Sequence, residues 1–136
     1  MSTILVVDDS KSVVQLLQFD LEEAGYEVVT CLSGEEALKI LSTSQFDLIL
    51  LDVYMPGMTG LELLSIVHKQ GDTENVPIIM LSSSDNEEQI VEALDIGAFD
   101  YVTKPYIAEI LLARIRTALR LQEKTNFLCD FQRCYA

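Results

Sequence analysis

The sequence predicts an α/β fold in which five strands alternate with five helices and pair into one parallel sheet covered on both faces. Three observations predict it. Ile/Val/Leu runs recur at Ile4-Leu5-Val6-Val7, Leu48-Ile49-Leu50-Leu51 and Ile78-Ile79-Met80-Leu81. They are continuous rather than alternating, as strands buried on both faces are. Stretches with apolar residues at helical spacing lie between them. Each run also ends in a reactive polar residue: Asp8-Asp9, Asp52, Ser82 and, after the shorter Tyr101-Val102-Thr103, Lys104-Pro105. Parallel strands bring their carboxyl ends to one edge, where open α/β sheets bind ligands.

The elements follow in order. After Asp9, the residues Val13, Val14, Leu17, Leu21 and Ala24 recur at helical spacing, and Gly25 offers a stop. Glu27 to Cys31 reads as a short strand. Ser33 and Glu36 form a capping-box pair opening a helix that buries Ala37, Leu38 and Leu41. The third strand, Asp47 to Leu51, leads through Pro56-Gly57 to a helix that starts near Thr59, is capped by Thr59 and Glu62, and packs Leu61, Leu64 and Val67. Gly71 and Asp72 mark the next break, and Pro77 starts the fourth strand. Ser84-Asp85-Asn86-Glu87 caps a helix with Ile90, Val91 and Leu94 expected inward, closed by Gly97. Tyr101 to Thr103 is the fifth strand. The last helix is expected from about Ile107 to Lys124, with Ile107, Ile110, Leu111, Ile115 and Ala118 as its inner stripe. Residues 125–136 read as a tail or the start of a linker. Right-handed crossovers leave few topologies. The flavodoxin-like order 2-1-3-4-5 is one of the two common ones and is taken as the expectation; its switch point lies between strands 1 and 3, whose ends carry Asp8-Asp9 and Asp52.

With 136 residues the chain is most economically one domain. Lys and Arg total 9 against 22 Asp and Glu, a formal net charge of -13. Such a chain repels phosphate backbones, so direct nucleic-acid binding is not expected. No apolar stretch reaches the length of a membrane span, and the N-terminus lacks a signal-peptide pattern, so a cytoplasmic location without membrane contact is the expectation. Cys31, Cys129 and Cys134 have neither framework spacing nor a neighbouring His, which argues against a disulfide scaffold or a metal site built on them. His68 falls on a helical surface pattern and reads as a solvated residue.

Three carboxylates at one sheet edge repel one another. At about 4 Å and an effective dielectric near 20, each pair costs on the order of 4 kcal/mol. Either one acid keeps its proton or a cation joins the site. A small hard dication that takes carboxylate, water and phosphate oxygens suits the site best, and Mg²⁺ is the natural candidate. A phosphoryl group completes the set: Asp52 can form an acyl phosphate, and Mg²⁺, Lys104 and Ser82 can each hold one of its oxygens. Lys104-Pro105 is a candidate cis peptide.

The motifs Val6-Val7-Asp8-Asp9, Leu51-Asp52-Val53-Tyr54-Met55-Pro56-Gly57 with Gly60, Ile79-Met80-Leu81-Ser82 and Tyr101-Val102-Thr103-Lys104-Pro105 together resemble the receiver domains of bacterial two-component response regulators, over about residues 3 to 122. The resemblance implies a phosphoaspartate signalling switch rather than an enzyme with an external substrate. It implies Asp52 as phosphoacceptor, and Asp8, Asp9 and Asp52 with the Val53 backbone carbonyl as Mg²⁺ ligands. Ser82 and Lys104 would contact the phosphoryl group, and Tyr101 would turn with Ser82. The implied donor is a phosphohistidine on a histidine kinase or histidine phosphotransfer protein. The implied output is a change in the face made by the fourth helix, fifth strand and fifth helix, which would form a homodimer or meet a partner. Receiver residues 1–124 would then be followed at 125–136 by a C-terminal tail or by the start of a linker to an output domain, the chain being either a stand-alone regulator or the N-terminal piece of a longer protein.

Tyr54 and Ser84 occupy positions flanking the site that in this family influence acyl phosphate hydrolysis, and Ser83 stands where a small residue is usual. Asp8 could instead cap the first helix, but Ser10 can do so. The alternative function is a haloacid dehalogenase-type Mg²⁺-dependent phosphatase, which wants Asp-x-Asp where this chain has Asp8-Asp9-Ser10. A flavin or nucleotide fold is disfavoured because no Gly-rich loop follows the first strand.

Overall fold

The computed structural model describes residues 2–69, 76–83 and 86–135, with the side chains of 123–135 excepted. Strands and helices alternate without exception: β1 (Thr3–Val7), α1 (Lys11–Glu23), β2 (Glu27–Cys31), α2 (Gly34–Leu41), β3 (Leu48–Asp52), α3 (Gly60–Lys69), β4 (Ile78–Ser82), α4 (Glu87–Ile96), β5 (Asp100–Thr103) and α5 (Ala108–Tyr135). All strand pairs are parallel, in the expected order β2-β1-β3-β4-β5.

The continuous apolar strands split their side chains between two cores, as the two-residue strand period requires. Leu5, Val7, Ile49, Leu51, Ile78 and Met80 face α2, α3 and α4, where they meet Ala37, Leu41, Leu63, Leu64, Val67 and Ala93. Ile4, Val6, Leu48, Leu50, Ile79 and Leu81 face α1 and α5, against Val14, Leu17, Leu21, Leu111, Ile115 and Ala118. Helix starts follow local chemistry. Ser10 caps α1 and accepts from the Val13 N–H, Ser33 caps α2 and accepts from the Glu36 N–H, and Asn86 caps α4.

Three expectations need correction. Val91 and Leu94 of α4 were expected inward but are exposed, and only Ala93 of that helix is buried. Ile107 and Ile110 are likewise exposed, so the inner stripe at α5 shrinks to Leu111, Ile115 and Ala118. The periodicity was real, but β5 is an edge strand and α4 and α5 flank it, so the apolar arc is wider than the sheet can cover. Third, α5 runs to Tyr135 rather than ending near Lys124. No Gly or Pro interrupts the sequence from Ala108 to Tyr135, so nothing local stops the helix. The Gly71-Asp72 break and the Ser84-Asp85 part of the α4 cap lie outside the described residues, as do the side chains of Lys124, Cys129 and Cys134. Cys31 is buried, and burial first, then the nearby Glu36 charge, push its thiol up to about 12. It packs as a small apolar residue.

Candidate functional site

Sheet register assembles the site. Val7 pairs with Leu51, so Asp8 and Asp52 follow from neighbouring strands. Asp52 pairs with Leu81, one residue before Ser82. Ser82 pairs with Thr103, one residue before Lys104, and its carbonyl accepts from the Lys104 N–H at 2.7 Å. Each polar residue therefore lies one step from the next along the carboxyl edge.

Asp8 is 1 % exposed and Asp52 7 %, while Asp9 is exposed. One carboxylate oxygen from each of these three acids lies within 4.8 Å of the others. The Lys104 ammonium reaches between the two buried acids, 2.7 Å from Asp8 Oδ2 and 3.5 Å from Asp52 Oδ1. The other Asp8 oxygen, Oδ1, accepts from the Ser10 N–H at 2.9 Å, which orients the carboxylate. Asp52 carries the electrostatic strain. Its carboxyl is raised to about 6, chiefly by burial and then by the Asp8 charge, while Lys104 and the Tyr54 backbone N–H pull it back down.

Three carboxylates against one ammonium leave two net negative charges when all are ionised. The donor set is all oxygen, partly buried and partly open through Asp9, and it fits a hard dication such as Mg²⁺. The Val53 carbonyl accepts from the Gly60 N–H at 2.9 Å. A carbonyl has two lone pairs, so that bond leaves one available.

The structure thus brings Asp8, Asp9, Asp52 and Lys104 into one cluster. Ser82 is fully buried at the end of β4. Tyr101 is half-buried on β5, and its hydroxyl donates to Gln89 Oε1 on α4 at 3.0 Å. The Lys104–Pro105 peptide is cis. Ser84 lies outside the described residues.

Sequence reasoning missed three supporting residues. Glu35 of α2 accepts from the Met58 N–H at 3.0 Å and so steadies the loop after Asp52. The Tyr106 hydroxyl donates to Asp20 at 2.9 Å and ties the loop after Lys104 to α1; burial and that carboxylate raise its own ionisation well above the usual range. Gln89 joins Tyr101 to Tyr54. These partners are far apart in sequence, and no local pattern announces them.

An acid cluster with a lysine thus sits at the switch point of a 2-1-3-4-5 sheet, where open α/β sheets bind ligands. The response regulator receiver domain matches residues 4–116, and the chain belongs to that family of two-component signalling. It is 45 % identical over 120 residues to the alkaline phosphatase synthesis transcriptional regulatory protein PhoP of Bacillus subtilis, a match covering 88 % of this chain and 49 % of that one. Among solved structures it is similar to a CheY-like response regulator receiver domain protein from Methanospirillum hungatei, with a TM-score of 0.87, 34 % identity, and 92 % and 98 % of the two chains covered. It is also similar to the chemotaxis protein CheY4 of Vibrio cholerae, with a TM-score of 0.83, 38 % identity, and 87 % and 98 % covered. The chain spans about half the length of the curated relatives it matches. The family match leaves the haloacid dehalogenase-type phosphatase without support. Among the described residues no helix is long and apolar enough to cross a membrane.

Proposed function

We propose that this chain is a phosphorylation-controlled switch that accepts a phosphoryl group on Asp52 from a phosphohistidine of a partner histidine kinase or phosphotransfer protein. The observation that carries the reading is the buried Asp52 carboxylate, set beside Asp8, Asp9 and Lys104 at the sheet edge. One Asp52 oxygen attacks phosphorus in line, the P–N bond to the donor imidazole breaks, and the electron pair stays on the imidazole nitrogen. The Lys104 ammonium moves from its carboxylate partners toward a phosphoryl oxygen, and the Ser82 hydroxyl meets another. Asp8, Asp9, Asp52 and the Val53 carbonyl would hold Mg²⁺, which supplies positive charge to the phosphoryl oxygens. Incubation with acetyl phosphate and Mg²⁺ tests this: one phosphoryl group per chain on Asp52 is expected, and none after chelation. A parent chain that takes no label would sink the assignment.

Donor docking has support beside the site. Val13, Leu16, Ser83, Lys104, Pro105 and Tyr106 line a groove of about 360 Å³, and Leu16 and Phe19 on α1 are exposed. An apolar helix surface of a phosphohistidine protein fits there. Leu16→Ala is expected to slow transfer from the cognate kinase about tenfold, in line with an interface anchor, while labelling by acetyl phosphate keeps its parental rate. Equal slowing of both would place Leu16 in the fold rather than the interface.

For the output, Val91 and Leu94 on α4, Phe99 just before β5, Ile107 just before α5 and Ile110 on α5 expose apolar side chains, next to the Asp100–Arg114 pair at 3.4 Å. In this reading the phosphoryl group biases a bistable Ser82–Tyr101 arrangement and repacks this face, which then pairs with a second copy or meets an output segment. Beryllofluoride with Mg²⁺ is expected to shift the chain from monomer to dimer in sedimentation, and Ile110→Asp is expected to prevent the shift. The proposed domain plan is a receiver at 1–124 with 125–136 as a tail or the start of a linker.

A further inference from the structure

Gln89, in the first turn of α4, stands between two tyrosine hydroxyls. The Tyr101 hydroxyl donates to Gln89 Oε1 at 3.0 Å, and Gln89 Nε2 donates to the Tyr54 hydroxyl at 2.7 Å. The two tyrosines come from separate elements, Tyr54 from the loop after β3 and Tyr101 from β5. Tyr54 is two residues past Asp52 and gives its backbone N–H to that carboxylate. Tyr101 lies on β5, three residues before Lys104.

We propose that Gln89 is a positioning residue that ties Tyr101 to Tyr54, so that rotation of Tyr101 frees Tyr54 and shortens the life of a phosphoryl group on Asp52. The proposal rests on Asp52 as the acceptor. The side chain of Tyr54 has little packing to hold it, being 55 % exposed; its short bond to Gln89 is the fixed point that makes the ring span from the β3–α3 loop to α4. The amide in turn is held by accepting from Tyr101, because one amide plane satisfies both bonds. When Tyr101 turns its hydroxyl away from α4, the amide loses its donor and regains rotamer freedom, and Tyr54 loses its anchor.

Loss of the phosphoryl group is a hydrolysis. A water oxygen bonds to phosphorus, the P–O bond to Asp52 breaks with its electron pair returning to the carboxylate, and the water proton leaves on the released phosphate. The water must approach in line. In this proposal a ring tethered to α4 by its bond to Gln89, two residues past Asp52, hinders that approach more than a released ring does. The rotation that alters the α4–β5–α5 face therefore also admits water, and the signal limits its own duration.

Four variants of the full chain test this: Gln89→Leu, which keeps size without either bond; Gln89→Glu, whose carboxylate accepts from both hydroxyls; Tyr54→Phe; and Tyr101→Phe. Label loss is measured after charging with acetyl phosphate and Mg²⁺. Fluorine spectra are recorded on uncharged chains carrying 3-fluorotyrosine, the five tyrosines assigned by single Tyr→Phe changes. Gln89→Leu, Tyr54→Phe and Tyr101→Phe are each expected to hasten hydrolysis about two- to tenfold, the range set by one hydrogen bond. The two tyrosine changes combined should do no more than either alone. Gln89→Leu should move the fluorine resonances of both Tyr54 and Tyr101, and Gln89→Glu should restore a near-parental rate. Additive tyrosine effects, or a Gln89→Leu spectrum in which fewer than both resonances move, overturn the proposal. If the parent chain takes no label, the acceptor reading fails on its own, and the fluorine spectra still decide whether Gln89 couples the two rings.

Discussion

Asp52→Asn is expected to take no label from acetyl phosphate and, in Mg²⁺-free buffer at pH 7.5, to fold more stably than the parent chain. The loss of label follows from chemistry, since an amide oxygen is no nucleophile toward phosphorus. The gain in stability follows from the site's charge. Asp52 has its carboxyl raised to about 6 by burial and Asp8, against an ordinary value near 4. Between those two values the native state keeps a proton that the unfolded chain has released. Stability therefore falls as pH rises through about 4 to 6, and the full cost is present above that window. A shift of about 2 units corresponds to roughly 3 kcal/mol. The asparagine escapes this but loses attraction to Lys104, so a net gain of about 1–2 kcal/mol is expected near neutral pH. Urea unfolding at pH 7.5 and at pH 4 checks it. The gain should shrink toward zero at pH 4, where Asp52 is protonated in the native state and about half protonated in the unfolded chain. Mg²⁺ should stabilise the parent by about 1.4 kcal/mol at ten times its Kd and the variant less. A variant less stable than the parent at pH 7.5, or a gain that persists at pH 4, would falsify this account of the charge.

Gly60→Ala is expected to cost about 3 kcal/mol or more and to impair labelling as well, because it strikes the fold and the site at one point. A Cβ at Gly60 would lie 2.0 Å from the Asp52 carbonyl oxygen and 2.8 Å from both the Asp52 carbonyl carbon and Val53 Cα. These are backbone atoms of the strand end that carries the acceptor, and the Gly60 N–H to Val53 carbonyl bond holds α3 against them. Relief requires moving either the helix or the acceptor. Gly25→Ala is the control: its φ of +96° disfavours a side chain, but nothing lies within 4 Å. It should cost about 1 kcal/mol and leave labelling at the parental rate. Equal behaviour of the two alanine variants in labelling would show that the close approach at Gly60 does not support the site.

The strand ends were legible because each announces itself locally. An apolar run that stops at Asp, Ser or Lys needs no knowledge of the rest of the chain, and a parallel sheet then puts all such ends on one edge. Asp8, Asp9, Asp52 and Lys104 were found in this way, and they do meet. The helix interiors were less legible. Apolar spacing in α4 and α5 marked Val91, Leu94, Ile107 and Ile110 as core, yet they are exposed. Helical period tells which residues share a face, but not whether an edge strand is wide enough to cover it.

The sequence alone determined the alternation of strands and helices and the four charged residues at the strand ends, because period, caps and breakers act over a few residues, while crossover handedness narrowed the order of the sheet to one of two common ones. Tertiary structure decided the rest. The register set Asp8 and Asp52 at one lysine, which gave Asp52 its raised carboxyl. Packing exposed the apolar arc beside β5, and folding alone brought Gln89 between Tyr54 and Tyr101. The physical reason is the same in each case: charge coupling, burial and hydrogen bonding depend on distances between residues that the chain keeps far apart until it folds.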